Sequence, residues 1–287
     1  MQLLKLVRQL FTIIKTQTKM KKVLYLLFAV TVFTACHKNS VTGRKQLGLF
    51  KEETLQQMAL TEYKSFLSQS QVMSETVNKD AEMVQRVGGR IAKAITDYYT
   101  QKGLGKELEG YKWEFNLVNN KEVNAWCMPG GKVVVYTGLL PITQNEAALA
   151  VVLGHEITHA VAHHGNERMS QGALAQGLEI VGNIATSNNP KYNSLFNNVF
   201  APGAQLGFLL PNSRKQEYEA DHFGLNFAAM AGYNPREAVP FWQRMSVAGG
   251  NQKPPEFLAT HPSDENRIAK LQSYMEEALS YYKPVGK

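Results

Sequence analysis

His155-Glu156-Ile157-Thr158-His159 sets two imidazoles four residues apart with a carboxylate beside the first. On a helix that spacing puts both rings on one face, where they can offer nitrogen to a single metal ion while Glu156 flanks it, the arrangement of zinc hydrolases. The neighbouring residues favour a helix here. Leu149, Val152, Leu153 and Ile157 make an apolar stripe, and Thr143 with Glu146 has capping-box spacing just ahead of it. The pattern predicts one long buried helix over about 144–169.

Catalytic zinc takes three protein ligands and keeps a fourth position for water, so a third donor must lie elsewhere. A metzincin would carry Gly at 162 and His at 165, whereas this chain has Ala162 and Gly165. His163 and His164 follow closely, but on a continuous helix His164 falls about half a turn away from His155. Both read as structural or surface residues. Glu217-Tyr218-Glu219-Ala220-Asp221 offers carboxylates instead. Glu217 and Asp221 share a helix face, so one can bind metal while the other accepts the second ring N–H of a histidine ligand. Glu219 points away, towards solvent.

Further out, Met83, Val87, Ile91 and Ile95 recur at helical spacing and predict an amphipathic helix from 77 to about 99, with Gly88-Gly89 marking close packing. Residues 111–118 and 132–137 are rich in β-branched and aromatic side chains, and Pro129-Gly130-Gly131 separates the second run from Val123-Asn124-Ala125-Trp126. A small antiparallel sheet is the natural reading. More helices are predicted at about 171–186, 212–231, 235–247 and 263–282. Residues 187–211, rich in Asn, Gly and Pro around an apolar patch, read as a long loop serving as a lid. The fold class is therefore α+β, predominantly α-helical, with an active-site helix and a small mixed or antiparallel sheet.

The 287 residues carry a net charge of +7, but six of the positive charges lie in residues 1–35, which hold no acid; the remainder of the chain stands at +1. No basic stripe is left for nucleic acid. From Met20 the chain reads as a secretory signal: Lys21-Lys22, an apolar run from Val23 to Ala35 too short to span a bilayer, then Cys36. Phe33-Thr34-Ala35-Cys36 resembles a bacterial lipobox with Phe in place of the usual Leu, making Cys36 the lipidated first residue of the mature chain and residues 1–19 an upstream extension. Residues 36–70, including Val41-Thr42-Gly43-Arg44-Lys45-Gln46-Leu47, read as a tether and a short helix, and 71–287 as the domain that bears the histidines. Cys127, the other cysteine, is a small buried hydrophobe with no disulfide partner.

Taken in order, these pieces resemble the HtpX, BepA and LoiP type of zinc metallopeptidases, gluzincins distantly related to the CaaX prenyl proteases. The matching pieces are His155 to His159 with His164; Asn124-Ala125-Trp126 with Pro129-Gly130-Gly131 and Tyr136-Thr137-Gly138-Leu139-Leu140; Ser213-Arg214 with Glu217, Ala220 and Asp221; and His261-Pro262 with Arg267. The Val41 to Leu47 segment resembles the one after the lipidated cysteine of LoiP-like lipoproteins. The resemblance implies a zincin-like domain holding one Zn2+ per chain, with Glu217 as third ligand and Asp221 as partner of a histidine ligand. It also implies a His261 that either aids catalysis or occupies the water site in a latent form, and an Arg267 that steadies the site. The repeat domain of BepA and the membrane spans of HtpX have no counterpart.

The expected activity is peptide-bond hydrolysis with Glu156 as general base and His261 beside the oxyanion, the substrate lying as an extended strand near Asn124, Ala125 and Trp126. Expected substrates are unfolded or misassembled proteins of the bacterial cell envelope, met on the periplasmic side from a lipid anchor in the outer membrane. The rival expectation is a zinc-stabilised assembly factor for outer-membrane proteins that does not cut. Glu156 argues against it, because a structural zinc site has no use for a general base.

Overall fold

The computed structural model describes residues 36–175, 190–200, 214–248, 255, 257–258, 261 and 266–284. A hairpin of β1 (Cys36–Lys38) and β2 (Lys45–Leu47) is followed by α1 (Glu52–Ser68) and α2 (Lys79–Gln101), then by β3 (Glu114–Val118), β4 (Ala125–Met128) and β5 (Lys132–Tyr136). Next come α3 (Glu146–Val161), α4 (His164–Ala175), α5 (Pro190–Phe200), α6 (Arg214–Met230), α7 (Ala238–Val247) and α8 (Arg267–Tyr281). The signal segment 1–35 lies outside the described residues, as do 176–189 and 201–213. Segment 36–70 is no loose tether, since its first part forms the hairpin.

β5 is the middle strand of three, in the order β3-β5-β4. The sheet is mixed, not purely antiparallel. After β3 the chain crosses to the far side of β5 to make β4, then returns through a tight turn, so β3 runs parallel to β5 and β4 antiparallel to it. Gly130 and Gly131 take that turn at φ +82° and +79°, a region open to glycine. Both faces of β5 are covered, which explains its unbroken apolar run. Val133 and Val135 join the core built by α2, α3, α6 and α7, while Val134 and Tyr136 meet α1 and α5 on the other side.

Helix α5 corrects the expectation of a loop over 187–211. Pro190 is its first residue, and Tyr192, Leu195, Phe196 and Val199 bury a helical stripe. The Asn-rich composition misled because the four apolar residues that matter are spaced for a helix. The lid reading of 201–211 falls outside the described residues.

α3 is buried at every position from Ala148 to Val161, and it crosses α6 closely enough for backbones to touch. Gly154 meets Gly224 at the crossing. A Cβ on Gly224 would lie 2.6 Å from the His155 nitrogen, and one on Gly154 would run into the Gly224 carbonyl oxygen. Gly224→Ala is therefore expected to destabilise the protein by about 1–3 kcal/mol, through overpacking against rigid backbone. Urea unfolding measures it, and unchanged stability would show that the helices have room to part. Gly88 likewise lies against the Phe115 ring, as its sequence position suggested, whereas Gly89 faces open space.

Candidate metal centre

The local sequence starts and stops α3 in ways that decide the site. Asn145 caps the helix, its side chain accepting from the Ala148 N–H at 2.9 Å. Thr143 belongs to the preceding short turn, closed by Gln144 at φ +64°, so the expected Thr143–Glu146 capping box is not formed. At the other end Ala162 closes the helix and His163 adopts φ +55°, so the predicted single helix over 144–169 is two helices with a break. The His163 ring lies 3.1 Å from Glu52 and 3.7 Å from Glu107. Against the downward push of burial, Glu107 and Glu52 raise its pKa to about 9.

The four-residue spacing delivers what the sequence promised. His155 Nε2 and His159 Nε2 stand 3.1 Å apart, and Glu217 from α6 places Oε2 3.4 Å from the first and Oε1 3.4 Å from the second. His261 joins them, its Nδ1 3.2 Å from His155 Nε2 and 3.1 Å from Glu217 Oε1. All four residues are buried, and their ligand atoms lie within 4.8 Å of one another. An open fourth position was expected; in this arrangement His261 stands on that side. Glu156 is buried beside it, with Oε1 3.4 Å from His261 Nε2.

This donor set fits a metal ion. Asp221 Oδ1 lies 3.0 Å from His155 Nδ1 and His164 Nδ1 lies 2.9 Å from His159 Nδ1, so each ligand ring is engaged through Nδ1 and turns inward the Nε2 whose lone pair a metal ion would take in place of a proton. Lone pairs and a carboxylate facing one another repel unless a cation lies among them. The buried Glu156 Oε1 and Glu217 Oε2 make no hydrogen bond among the described residues. Two imidazoles and a carboxylate are the ligands of catalytic zinc, with His261 a further donor of the same kind.

The charged surroundings set each group's protonation. Burial raises Glu217, but His261, His155 and His159 outweigh it and hold the carboxylate well below its ordinary range. Burial lowers His155, yet the Asp221 and Glu217 carboxylates bring it up to about 9; burial wins at His159, which falls well below the usual histidine value. For Glu156 burial prevails over the nearby His261 and His155 and raises the carboxyl. Arg267 is fully buried, donating to Asp221 at 2.7 Å and to the His261 carbonyl at 3.4 Å, while its guanidinium stacks 3.4 Å over the Trp242 ring.

Glu219 does not face solvent. His164 Nε2 lies 3.0 Å from its Oε2, and Arg44 Nε donates to its Oε1 at 2.6 Å. Burial raises the Glu219 carboxyl, but His164 and Arg44 pull it below its ordinary value. The half-turn placement of His164 assumed an unbroken helix; the left-handed His163 swings it back onto His159. Histidine, like Asn and Asp, is enriched among non-glycine residues at positive φ, so His163 carried a weak signal of the break that helical spacing outweighed.

Asn124, Ala125 and Trp126 stand at the sheet's outer strand, alongside α3. Their side chains turn inward: Asn124 accepts from the Ala125 N–H, and Trp126 packs edge-on against Tyr63 and Phe66. The Tyr136 N–H donates to the Asn124 carbonyl, so by antiparallel alternation Trp126 and Met128 bond towards β5 while the backbones of Val123, Ala125 and Cys127 face the open edge. Val123 already accepts from the Phe257 N–H at 3.1 Å, and the Phe257 carbonyl accepts from the His261 N–H. Cys127 is half-buried and its thiol is pushed well above its ordinary pKa by burial, as suits a packing residue.

Residues 78–275 match the model of peptidase family M48. The chain is 36% identical over 204 residues to a mitochondrial metalloendopeptidase OMA1 of Arabidopsis thaliana, covering 67% of this chain and 40% of that protein. It is 30% identical over 268 residues to the mitochondrial metalloendopeptidase OMA1 of Homo sapiens, covering 88% and 48%. With a beta-barrel assembly-enhancing protease of Escherichia coli it shares 30% identity over 166 residues, 56% of this chain and 34% of that protein. The chain spans about half the length of the curated relatives it matches.

Proposed function

This chain belongs to peptidase family M48, and from that premise we propose that it is a zinc-dependent metalloendopeptidase of the cell envelope, of the HtpX, BepA and LoiP type. One observation carries the proposal: two imidazole nitrogens and the Glu217 carboxylate converge in a buried cluster beside a Glu156 whose Oε1 has no hydrogen-bond partner among the described residues. His155, His159 and Glu217 would hold the zinc, with His261 placed as a fourth donor in a latent arrangement. Zinc in such a set supplies Lewis acidity, drawing electron density from oxygen atoms of water and of the scissile carbonyl.

The chain's own residues do the rest. Glu156 takes the proton of the attacking water and passes it to the leaving amine, a task suited to a carboxyl raised by burial. Asp221 holds the His155 ring by its Nδ1–H, and Arg267 holds Asp221. Withdrawal of His261 admits water and frees its imidazole to donate to the oxyanion. Substrate adds as a strand at the outward carbonyl of Ala125 and the outward backbone groups of Cys127, which reads peptide backbone with little demand on sequence.

Broad cleavage of unfolded or misassembled envelope proteins follows from that mode. The similarity to a beta-barrel assembly-enhancing protease of Escherichia coli supports a bacterial envelope setting, and the lipobox-like Phe33 to Cys36 supports a lipid anchor at Cys36, with the domain on the periplasmic side of the outer membrane. Among the described residues no helix is long and apolar enough to cross a membrane.

The test is zinc content measured together with cleavage of casein. Purified protein is expected to hold one zinc and to cut casein, and dialysis against a chelator should remove both properties together. A folded sample that takes up no zinc, or one whose cleavage is indifferent to chelation, would defeat the proposal.

A further inference from the structure

Resting on the zinc site proposed above, we infer that Glu219 on α6 and Arg44, from a hairpin far away in sequence, are positioning residues for His159 that act through His164. The motif Val41-Thr42-Gly43-Arg44 is built to aim one side chain. Asn39 Oδ1 accepts from the Val41 and Thr42 N–H groups at 2.9 Å each, Gly43 turns the chain at φ +69°, and its N–H donates to the Asn39 carbonyl at 3.0 Å. A residue with a Cβ is strained at that φ. The hairpin is held to the end of α3 by two amides, Asn39 Nδ2 and Gln46 Nε2, each donating to the Ala162 carbonyl at 3.0 Å.

So fixed, Arg44 grips two carboxylates. Its Nη1 and Nη2 donate to Glu167 at 2.6 and 2.7 Å, while Nε and Nη2 donate to Glu219 at 2.6 and 3.2 Å. Gln216 Nε2 donates to the same Glu167 at 2.6 Å, tying the grip to the residue before Glu217.

From Glu219 the hydrogen bonds run one way. A carboxylate accepts only, so His164 Nε2 must carry the hydrogen it shares with Glu219 at 3.0 Å. A neutral His164 then has a lone pair at Nδ1, and the 2.9 Å contact there requires His159 Nδ1 to be the donor. His159 is left with its lone pair at Nε2, facing Glu217 and His155. Asp221 does this for His155 in one step; Glu219 does it for His159 in two, and Arg44 keeps Glu219 in place.

The experiment is a Zn2+ titration of the metal-stripped full chain against a chromogenic competitor, for wild type, Glu219→Gln, Arg44→Gln, Arg44→Lys and the Glu219→Gln/Arg44→Gln double variant. Glu219→Gln is expected to weaken zinc binding about 10- to 100-fold, as loss of a partner behind a metal-bound histidine does elsewhere. Arg44→Gln should weaken it less, Arg44→Lys should recover part of that loss, and the double variant should bind no more weakly than Glu219→Gln alone. Thermal unfolding of each metal-stripped protein separates this from mere loss of structure, which lowers the midpoint without moving affinity. Zinc affinity within about twofold of wild type for folded Glu219→Gln, or losses that add in the double variant, overturns the inference. If Glu219→Gln does not fold, Arg44→Gln decides alone, since its side chain is 23% exposed and tolerates replacement; unchanged affinity there overturns the inference too. A wild type that binds no zinc would defeat the peptidase reading instead, so the two failures are distinct.

Discussion

Glu156→Gln is expected to lower cleavage of an unfolded substrate by about 10²- to 10⁴-fold, the range of a lost general acid–base group, while zinc content and affinity stay those of wild type. Glutamine keeps the size of the side chain and cannot take up a proton. The donors His155, His159, Glu217 and His261 are untouched by the exchange, so the metal set survives it. What disappears is a buried carboxyl whose Oε1 makes no hydrogen bond among the described residues and so is free to serve water. The loss should therefore fall on kcat, with KM little changed. Casein cleavage and zinc content on one preparation check it. Equal cleavage by the variant would remove Glu156 from the chemistry and favour a protein that binds unfolded clients without cutting them.

Arg267→Met is expected to destabilise the fold by about 3–5 kcal/mol, the scale of removing one partner from a buried ion pair. Asp221 and Glu217 lie within reach of its guanidinium at 2.7 and 3.4 Å, and all three side chains are at most 4% exposed. Methionine fills part of the volume against Trp242 but leaves two carboxylates without that charge. Arg267→Lys keeps the charge and loses both the planar stack on Trp242 and the forked donation, so it should recover only part of the loss. Urea unfolding of metal-stripped protein checks both variants. A cost below about 1 kcal/mol for the methionine variant would mean that the cluster is solvated enough to dispense with its cation.

How much of this was legible in the sequence depended on whether a feature was local. His155, Glu156 and His159 declared themselves because their spacing is the chemistry, and Glu217 with Asp221 could be paired because four residues is one helical turn. Their roles as ligand and as partner to a ligand still required the resemblance. The sheet reads only as mixed or antiparallel, and neither its β3-β5-β4 order nor the touching of Gly154 and Gly224 was legible, since both arise from contacts between segments distant in sequence. Glu219 was misplaced for the same reason: an acid on a helix usually faces water, and its partner Arg44 comes from 175 residues away. The Asn-rich run before Phe200 hid a helix because loop composition outweighed a short apolar stripe.

The hairpin sets a limit on reach. Cys36 opens β1, and Asn39, three residues later, is already buried and hydrogen-bonded to the Ala162 carbonyl. Were Cys36 to carry a diacylglycerol, no free length of chain would part headgroups from protein, because Cys36 to Lys38 is already paired with Lys45 to Leu47. Such an enzyme would graze the bilayer surface like a moored boat on a short line, meeting polypeptides that come to the membrane rather than sweeping the space beyond it.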